Sequence, residues 1–295
     1  MSSVLIAGCG YVGTALGLCL ARAGRSVWAL RRSISQVPAP LRPLAADLAD
    51  PKTLAQLPGD IDAVIYAAGA DRSDEAAYRA AYVEGLTHLL DAVRAAKLGV
   101  RRLLFTSSTS VYEQRAGQWV DESSPTSPTH FTGRTLLEAE RIVEGSGIDA
   151  VVVRLGGIYG PGRTRLVDSV RNGTANLRPE PVYTNRIHRD DCAGALAHLL
   201  DLERPDPVYL GVDDEPADQA VVLAWLAAQL GAPPPAPLGG QPPARSSKRC
   251  SNQRLKASGY RFSYPTFREG YASMLSEQAP ASTRGGVGTR ENTEP

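Results

Sequence analysis

An α/β fold built on a doubly wound parallel sheet is what this sequence of 295 residues predicts, on three observations. Short apolar runs alternate with amphipathic stretches through the first two thirds of the chain, the pattern of strand–helix–strand units. A glycine-rich turn, Gly8-Cys9-Gly10-Tyr11-Val12-Gly13, follows the first apolar run and opens the first amphipathic stretch. Later runs end in small or hydroxyl residues, Ala67-Ala68-Gly69-Ala70 and Ser107-Ser108-Thr109-Ser110, where a sheet of this kind places its ligands.

Taken in order, Val4-Leu5-Ile6-Ala7 reads as a buried first strand and residues 14–21 as the helix after the turn. Val27–Leu30 is the second strand, Leu41–Asp47 a short third ending in an acid, and Ala63–Ala67 the fourth. The spacing of Leu86, Leu89, Leu90 and Val93 predicts one long helix over 74–96. A strand at 102–106, a helix over 129–145 and a strand at 150–155 follow. Residues 156–162, Gly-Gly-Ile-Tyr-Gly-Pro-Gly, read as a loop. Beyond them come a helix over 190–202, a strand at 208–210 and a helix over 218–230. The Pro/Gly-rich stretch 232–247 predicts a mobile connection, and residues 276–295, poor in apolar side chains, a disordered tail. The expected organisation is a nucleotide-binding domain over 1–155 and a smaller C-terminal α/β lobe, mainly 156–275, with elements interleaved between the two.

Composition narrows the function classes. A formal charge of +1 and the lack of a basic stripe argue against nucleic-acid and membrane-surface partners. No apolar run approaches the length of a membrane span, and a strand starting at Val4 leaves no room for a charged signal region, so a cytoplasmic location is expected. Cys9, Cys19, Cys192 and Cys250 share no C-x-x-C spacing, which predicts free thiols and no metal site.

The glycine turn carries the clearest chemistry. In G-x-G-x-x-G, Gly8 makes the tight turn and Gly10 lets backbone approach a pyrophosphate. Gly13 lets helix and strand pack closely, so that helix N–H groups face the anion. This is a Rossmann-type dinucleotide fingerprint in the context it requires. Where an NAD site places an acid for the ribose 2′-hydroxyl, this chain has Arg31-Arg32. Two guanidiniums can clamp a 2′-phosphate, so NADP(H) is favoured over NAD(H). Asp47-Leu48 would border the adenine, and Ala67-Ala68-Gly69 the nicotinamide ribose. Cys9 reads as a small filler inside the turn.

Together these segments resemble the extended short-chain dehydrogenase/reductase superfamily, the NAD-dependent epimerases and dehydratases. The glycine turn, Asp47-Leu48, Ser107-Ser108-Thr109-Ser110-Val111-Tyr112, Arg154–Gly162 and Ile187-His188-Arg189-Asp190-Asp191 carry the resemblance over most of residues 4–275. It implies a Tyr-x-x-x-Lys pair on one helix and a hydroxyl residue after the fifth strand. Ser108 matches the hydroxyl. Thr132 stands where the tyrosine belongs and Leu136 where the lysine belongs, and no tyrosine of the chain has lysine four residues later. Tyr82 occupies the place of the family's upstream asparagine. This altered set is the mark of the superfamily's atypical members.

The candidate catalytic residues are therefore Ser108 and Thr132, with His130 and Tyr112 as groups that could stand in for the lost acid; Tyr82, His188 and Asp190 are weaker alternatives. The expected function is that of an NADP(H)-binding oxidoreductase of epimerase/dehydratase type, acting on a sugar-nucleotide-like or carbonyl small molecule. The alternative is a non-catalytic NADP(H)-binding sensor or scaffold. The resemblance further implies homodimers through helices 74–96 and 129–145, while the sequence leaves the oligomeric state open.

Overall fold

A computed structural model describes residues 3–239 and 247–278. Seven parallel strands form one sheet, in the spatial order Val208–Gly211, Ala150–Leu155, Arg102–Ser108, Ile61–Tyr66, Ser3–Ala7, Ser26–Arg31 and Arg42–Ala45. The chain winds outward from Ser3–Ala7 through Ser26–Arg31 to Arg42–Ala45. It then returns to Ile61–Tyr66 and winds the other way. The winding reverses between Ser3–Ala7 and Ile61–Tyr66, and a crevice opens at the carboxyl ends of strands at such a reversal.

Alternation along the strands sorts the core into two layers. Val4 and Ile6 face the helices Tyr11–Arg22 and Arg189–Asp201, with Leu16, Leu20, Leu196 and Leu199 beneath them. Leu5 and Ala7 face Gly85–Ala95 and Phe131–Glu144, against Leu86, Leu90, Leu136 and Val143. A third cluster, including Val167, Leu223, Leu226, Phe267 and Met274, holds the helices Arg165–Arg171, Gln219–Leu230 and Phe267–Gln278 together beside the sheet.

Several elements differ from expectation. The helix over 74–96 is broken into Glu75–Arg79, a π turn Ala80–Glu84, and Gly85–Ala95. A π turn shifts the register of every later side chain, which periodicity alone does not reveal. The loop at 156–162 contains a strand, Gly157–Tyr159, paired with Arg186–His188. Tail residues 276–278 belong to the last helix, whose Tyr271 and Met274 are buried; residues 279–295 lie outside the described residues. Of the connection 232–247, residues 240–246 lie outside them too, while 248–250 form a strand against Gln118–Val120.

Candidate functional site

The glycine turn sits at the winding reversal, and its three glycines have three distinct physical reasons. Gly8 has φ +80°, and a Cβ there would lie 2.3 Å from the Ala68 Cα. The strand end Ala67–Gly69 thus closes directly over the turn, and no side chain fits between. At Gly10 a Cβ would meet nothing nearer than the Gly8 carbonyl at 3.9 Å, which leaves the backbone open to a ligand. At Gly13 it would press at 3.0 Å on both the Gly8 carbonyl and Ile6. The helix that follows has no side-chain cap at Gly10 and no acid in its first turn. Its first N–H groups and positive dipole end are therefore presented to an anion. This cradle fits a dinucleotide pyrophosphate.

A cavity of about 590 Å³ extends from the turn, lined by Gly8, Gly10, Arg31, Arg32, Asp47 and Leu48 together with Ala68 and Gly69. The structure brings these predicted residues together. Cys9, Val12 and Gly13 are buried beneath the turn, and burial pushes the Cys9 thiol above its usual pKa. Ala67 is held through its N–H to the Ala7 carbonyl at 2.8 Å. The Arg31 guanidinium reaches the Cys9 carbonyl at 3.4 Å and Gln36 at 3.2 Å. Arg32 pairs with Asp71 at 2.7 Å on the exposed rim. Asp71 lines the same cavity, and nothing in its sequence neighbourhood marks it. Tyr11 turns away from the cavity. Its hydroxyl donates to the Pro161 carbonyl at 2.9 Å, and Arg163 lies over its ring.

A second, larger cleft of about 1360 Å³ lies beyond the ends of strands Arg102–Ser108 and Ala150–Leu155. Ser108 lines it, together with Arg163, Asn185, Arg186, Lys248 and Tyr271. The Ser108 hydroxyl also accepts from the Ser110 N–H at 3.1 Å, capping the turn Thr109–Val111. Sequence reasoning missed Arg163, Arg186 and Lys248. Arginines are abundant in this chain, and the strand carrying Lys248 is only three residues long.

The remaining candidates lie elsewhere. His130 is exposed and caps the helix Phe131–Glu144, with Nδ1 3.0 Å from the Thr132 hydroxyl. Neither residue lines the larger cleft. Leu136 is in the core at 2% exposure. Tyr112 is not in the cleft: its buried hydroxyl takes a hydrogen bond from Arg154 at 2.7 Å, and burial pushes the phenol up to about 12. Arg154 is fixed in turn by two bonds to Glu140, which accepts from Ser107 at 2.6 Å. Tyr82 sits in the π turn with its hydroxyl near Gly69, its phenol also pushed by burial up to about 12. Neither tyrosine is poised to exchange a proton near neutrality. His188 is buried and caps the helix Arg189–Asp201, with burial lowering its pKa, and Asp190 pairs with Arg189 at 2.8 Å. Among the described residues no cluster of three His, Cys, Asp or Glu side chains could hold a metal, and no helix is long and apolar enough to cross a membrane.

Sheet order and glycine cradle define a Rossmann-type protein, with a cradle shaped for a dinucleotide pyrophosphate and a second, larger cleft beside it. The profile of the NAD dependent epimerase/dehydratase family matches residues 4–209, and the chain belongs to that family. It is 31% identical to the 3-diazoavenalumate denitrifying reductase of a Streptomyces species, over 90% of this chain and 98% of that one. It is also 35% identical to the dTDP-6-deoxy-L-talose 4-dehydrogenase (NAD(P)(+)) of Kitasatospora kifunensis, over 54% of this chain and 53% of that protein. A solved structure from methylobacillus flagellatus, described as that of an NAD-dependent epimerase/dehydratase, superposes with a TM-score of 0.80 at 36% identity, covering 94% of this chain and 98% of that one.

Proposed function

We propose that the protein is an NADP(H)-preferring oxidoreductase that reduces a small molecule held in the larger cleft. The observation that carries this reading is the pairing of the two clefts at the carboxyl ends of the sheet's strands. The cradle and Arg31-Arg32 line one, and Ser108 lines the other. The proteins named reductase and dehydrogenase above support this direction, and NAD(P) in the second name is compatible with a 2′-phosphate. Bound nicotinamide would supply or take up hydride. The protein's share is to hold it against the acceptor and to exclude water.

Arg32 is tied to Asp71 by an exposed pair, a contact worth only about 0–1 kcal/mol, so a phosphate can displace the carboxylate. The placement of Thr132 and Leu136 favours a second reading, a non-catalytic NADP(H)-binding sensor, because neither supplies a group that titrates near neutrality. Mixing the protein with NADPH and a panel of carbonyl, sugar-nucleotide and diazo-bearing aromatic acids separates the two. Loss of nicotinamide absorbance with any acceptor supports the enzyme, and tight binding without oxidation supports the sensor. NADPH should bind more tightly than NADH, and Arg31→Ala with Arg32→Ala should abolish that preference; an unchanged ratio would refute the clamp.

A further inference from the structure

We propose that Arg186 is the specificity-determining residue of the larger cleft: its guanidinium takes the carboxylate of a small acid, which makes the substrate a carboxylic acid. The inference deepens the reductase reading, on which it rests for calling that ligand a substrate.

The first observation is an unbalanced charge. Among the described residues three arginines are buried, and two of them have an acid as partner. Arg102 pairs with Asp149 at 2.8 Å and Arg154 with Glu140 at 2.7 Å. Arg186, 7% exposed, stands in no ion pair among the described residues. Buried charges are ordinarily paired, because an unpaired one is costly. Asp213 is an acid whose charge bears on Arg186, but burial raises its pKa to about 8, so it holds a proton at neutral pH. An anionic ligand supplies the partner that the chain withholds.

The second observation is the direction of the side chain. The strand Arg186–His188 pairs with Gly157–Tyr159, which sets Arg186 opposite Gly157 and His188 opposite Tyr159. Side chains alternate along a strand. Ile187 and Ile158 pack into the core layer of Val4 and Ile6, so Arg186 and Tyr159 share the other face. Gly157 has no side chain to cover Arg186, and a Cβ there would meet only the Asn185 carbonyl, at 3.3 Å. On that face the guanidinium lies among cleft residues. Its Nη1 donates to the Thr184 carbonyl at 3.3 Å, and a second hydrogen bond joins it to the Tyr271 hydroxyl. Its charge also bears on the Tyr159 phenol. Thr184, Tyr271, Tyr159 and Gly157 all line the larger cleft, as does Arg186 itself.

The third observation is what the cation can bind. Both of its acceptors are neutral, and a guanidinium carries five N–H donors in a planar fork. That fork matches the two oxygens of a carboxylate, and the bond is stronger in a poorly solvated wall than in water. The wall beside it is aromatic, with the rings of Tyr159 and Tyr271 stacked at 4.6 Å. A carboxylate is flat and carries its whole charge on two adjacent oxygens, so one recessed fork suffices for it. A nucleotide diphosphate spreads its charge over two tetrahedral groups and calls for several cations at a more open place. Arg186 thus favours a small acid over a sugar nucleotide as the occupant of the cleft.

The test uses the full chain saturated with NADPH and reads binding by calorimetric titration, without turnover. The probes are benzoate and cinnamate, their neutral counterparts benzamide and cinnamamide, and UDP as a diphosphate. At least one acid should bind about tenfold or more tightly than its amide, and Arg186→Met should weaken that acid about 10–100-fold while the amide stays within about twofold. Arg186→Lys keeps the charge and loses the fork, so it should retain part of the preference for the acid. Arg186→Met removes an unpaired charge, so its urea midpoint should not fall and its NADPH affinity should stay within about twofold. A lower midpoint with equal loss of acid and amide would make Arg186 a structural residue and overturn the proposal. An acid preference unchanged in Arg186→Met would overturn it too, as would UDP binding without binding of either acid, or no acid binding at all. Absence of NADPH oxidation with every acceptor would sink the reductase reading alone and leave a carboxylate-binding site in the sensor.

Discussion

At the scale of single residues, this molecule separates the groups of the glycine cradle from those of the larger cleft. Gly8 shows the first kind: φ +80° and Ala68 at 2.3 Å from a notional Cβ admit glycine alone. Both Arg31 and Arg32 line the cofactor cavity, but only Arg32 carries an acid on its guanidinium. Removing that acid should therefore matter to one cofactor and not the other. Asp71→Asn should tighten NADPH binding severalfold and leave NADH unchanged, read by fluorescence titration; equal effects on both would show that the Asp71 carboxylate does not compete with the phosphate. The residues of the larger cleft were harder to read from sequence. Ser108 lies within a recognisable segment, whereas Lys248 has no neighbour that marks it. Its place depends on Asn185 and Gly117, which are distant in the chain and close in space.

Among the elements, the helix Phe131–Glu144 is where family pattern and physical role part. Its start carries His130 and Thr132, bound to each other at the exposed end. Its inner face instead carries Glu140, at 10% side-chain exposure, paired twice with Arg154 on the strand Ala150–Leu155 and bonded by Ser107 on Arg102–Ser108. That network fixes the helix to two central strands, and Arg154 extends it to Tyr112. Breaking one side leaves a buried charge alone, which costs about 3–5 kcal/mol. Arg154→Met should lower stability by that amount in urea unfolding, and Arg154→Met with Glu140→Leu should recover much of it. A double variant as unstable as the single would mean that shape, not charge, sets the cost. The π turn Ala80–Glu84 is an element that the sequence hid: apolar spacing at Leu86, Leu89 and Leu90 reads as one helix because it starts after the irregularity.

For the whole molecule, the loop after Ala150–Leu155, the strand Arg186–His188 and Tyr271 of the helix Phe267–Gln278 meet at the wall of the larger cleft. Asp213, following the edge strand Val208–Gly211, sits at this junction with one carboxylate oxygen buried and unpartnered. Burial raises its pKa to about 8, and the charge of Arg186 offsets part of that rise. An unfolded aspartate titrates near 3.9. Between these values the native state holds a proton that the unfolded chain has released, so stability contributed by protonated Asp213 is full below about pH 3.9 and is lost as pH climbs through about 8. Asp213→Asn should flatten that loss: its urea midpoint relative to wild type should rise between about pH 5 and 9. A constant difference across this range would show that Asp213 is already ionised in the native protein.

What the sequence by itself determined is local in origin. Alternating strands and helices, the glycine turn and the two arginines are written in neighbouring residues, because a tight turn, an amphipathic face and a strand-end charge need only short spans of chain. The parallel seven-stranded sheet follows from that alternation. Tertiary structure decided which side chains share a cleft. Tyr112 went into a buried network, His130 to an exposed cap, and Lys248 to the wall that Ser108 occupies. Those outcomes depend on strand pairings and hydrogen bonds between segments far apart in sequence, and such contacts leave no periodic trace in the chain that makes them.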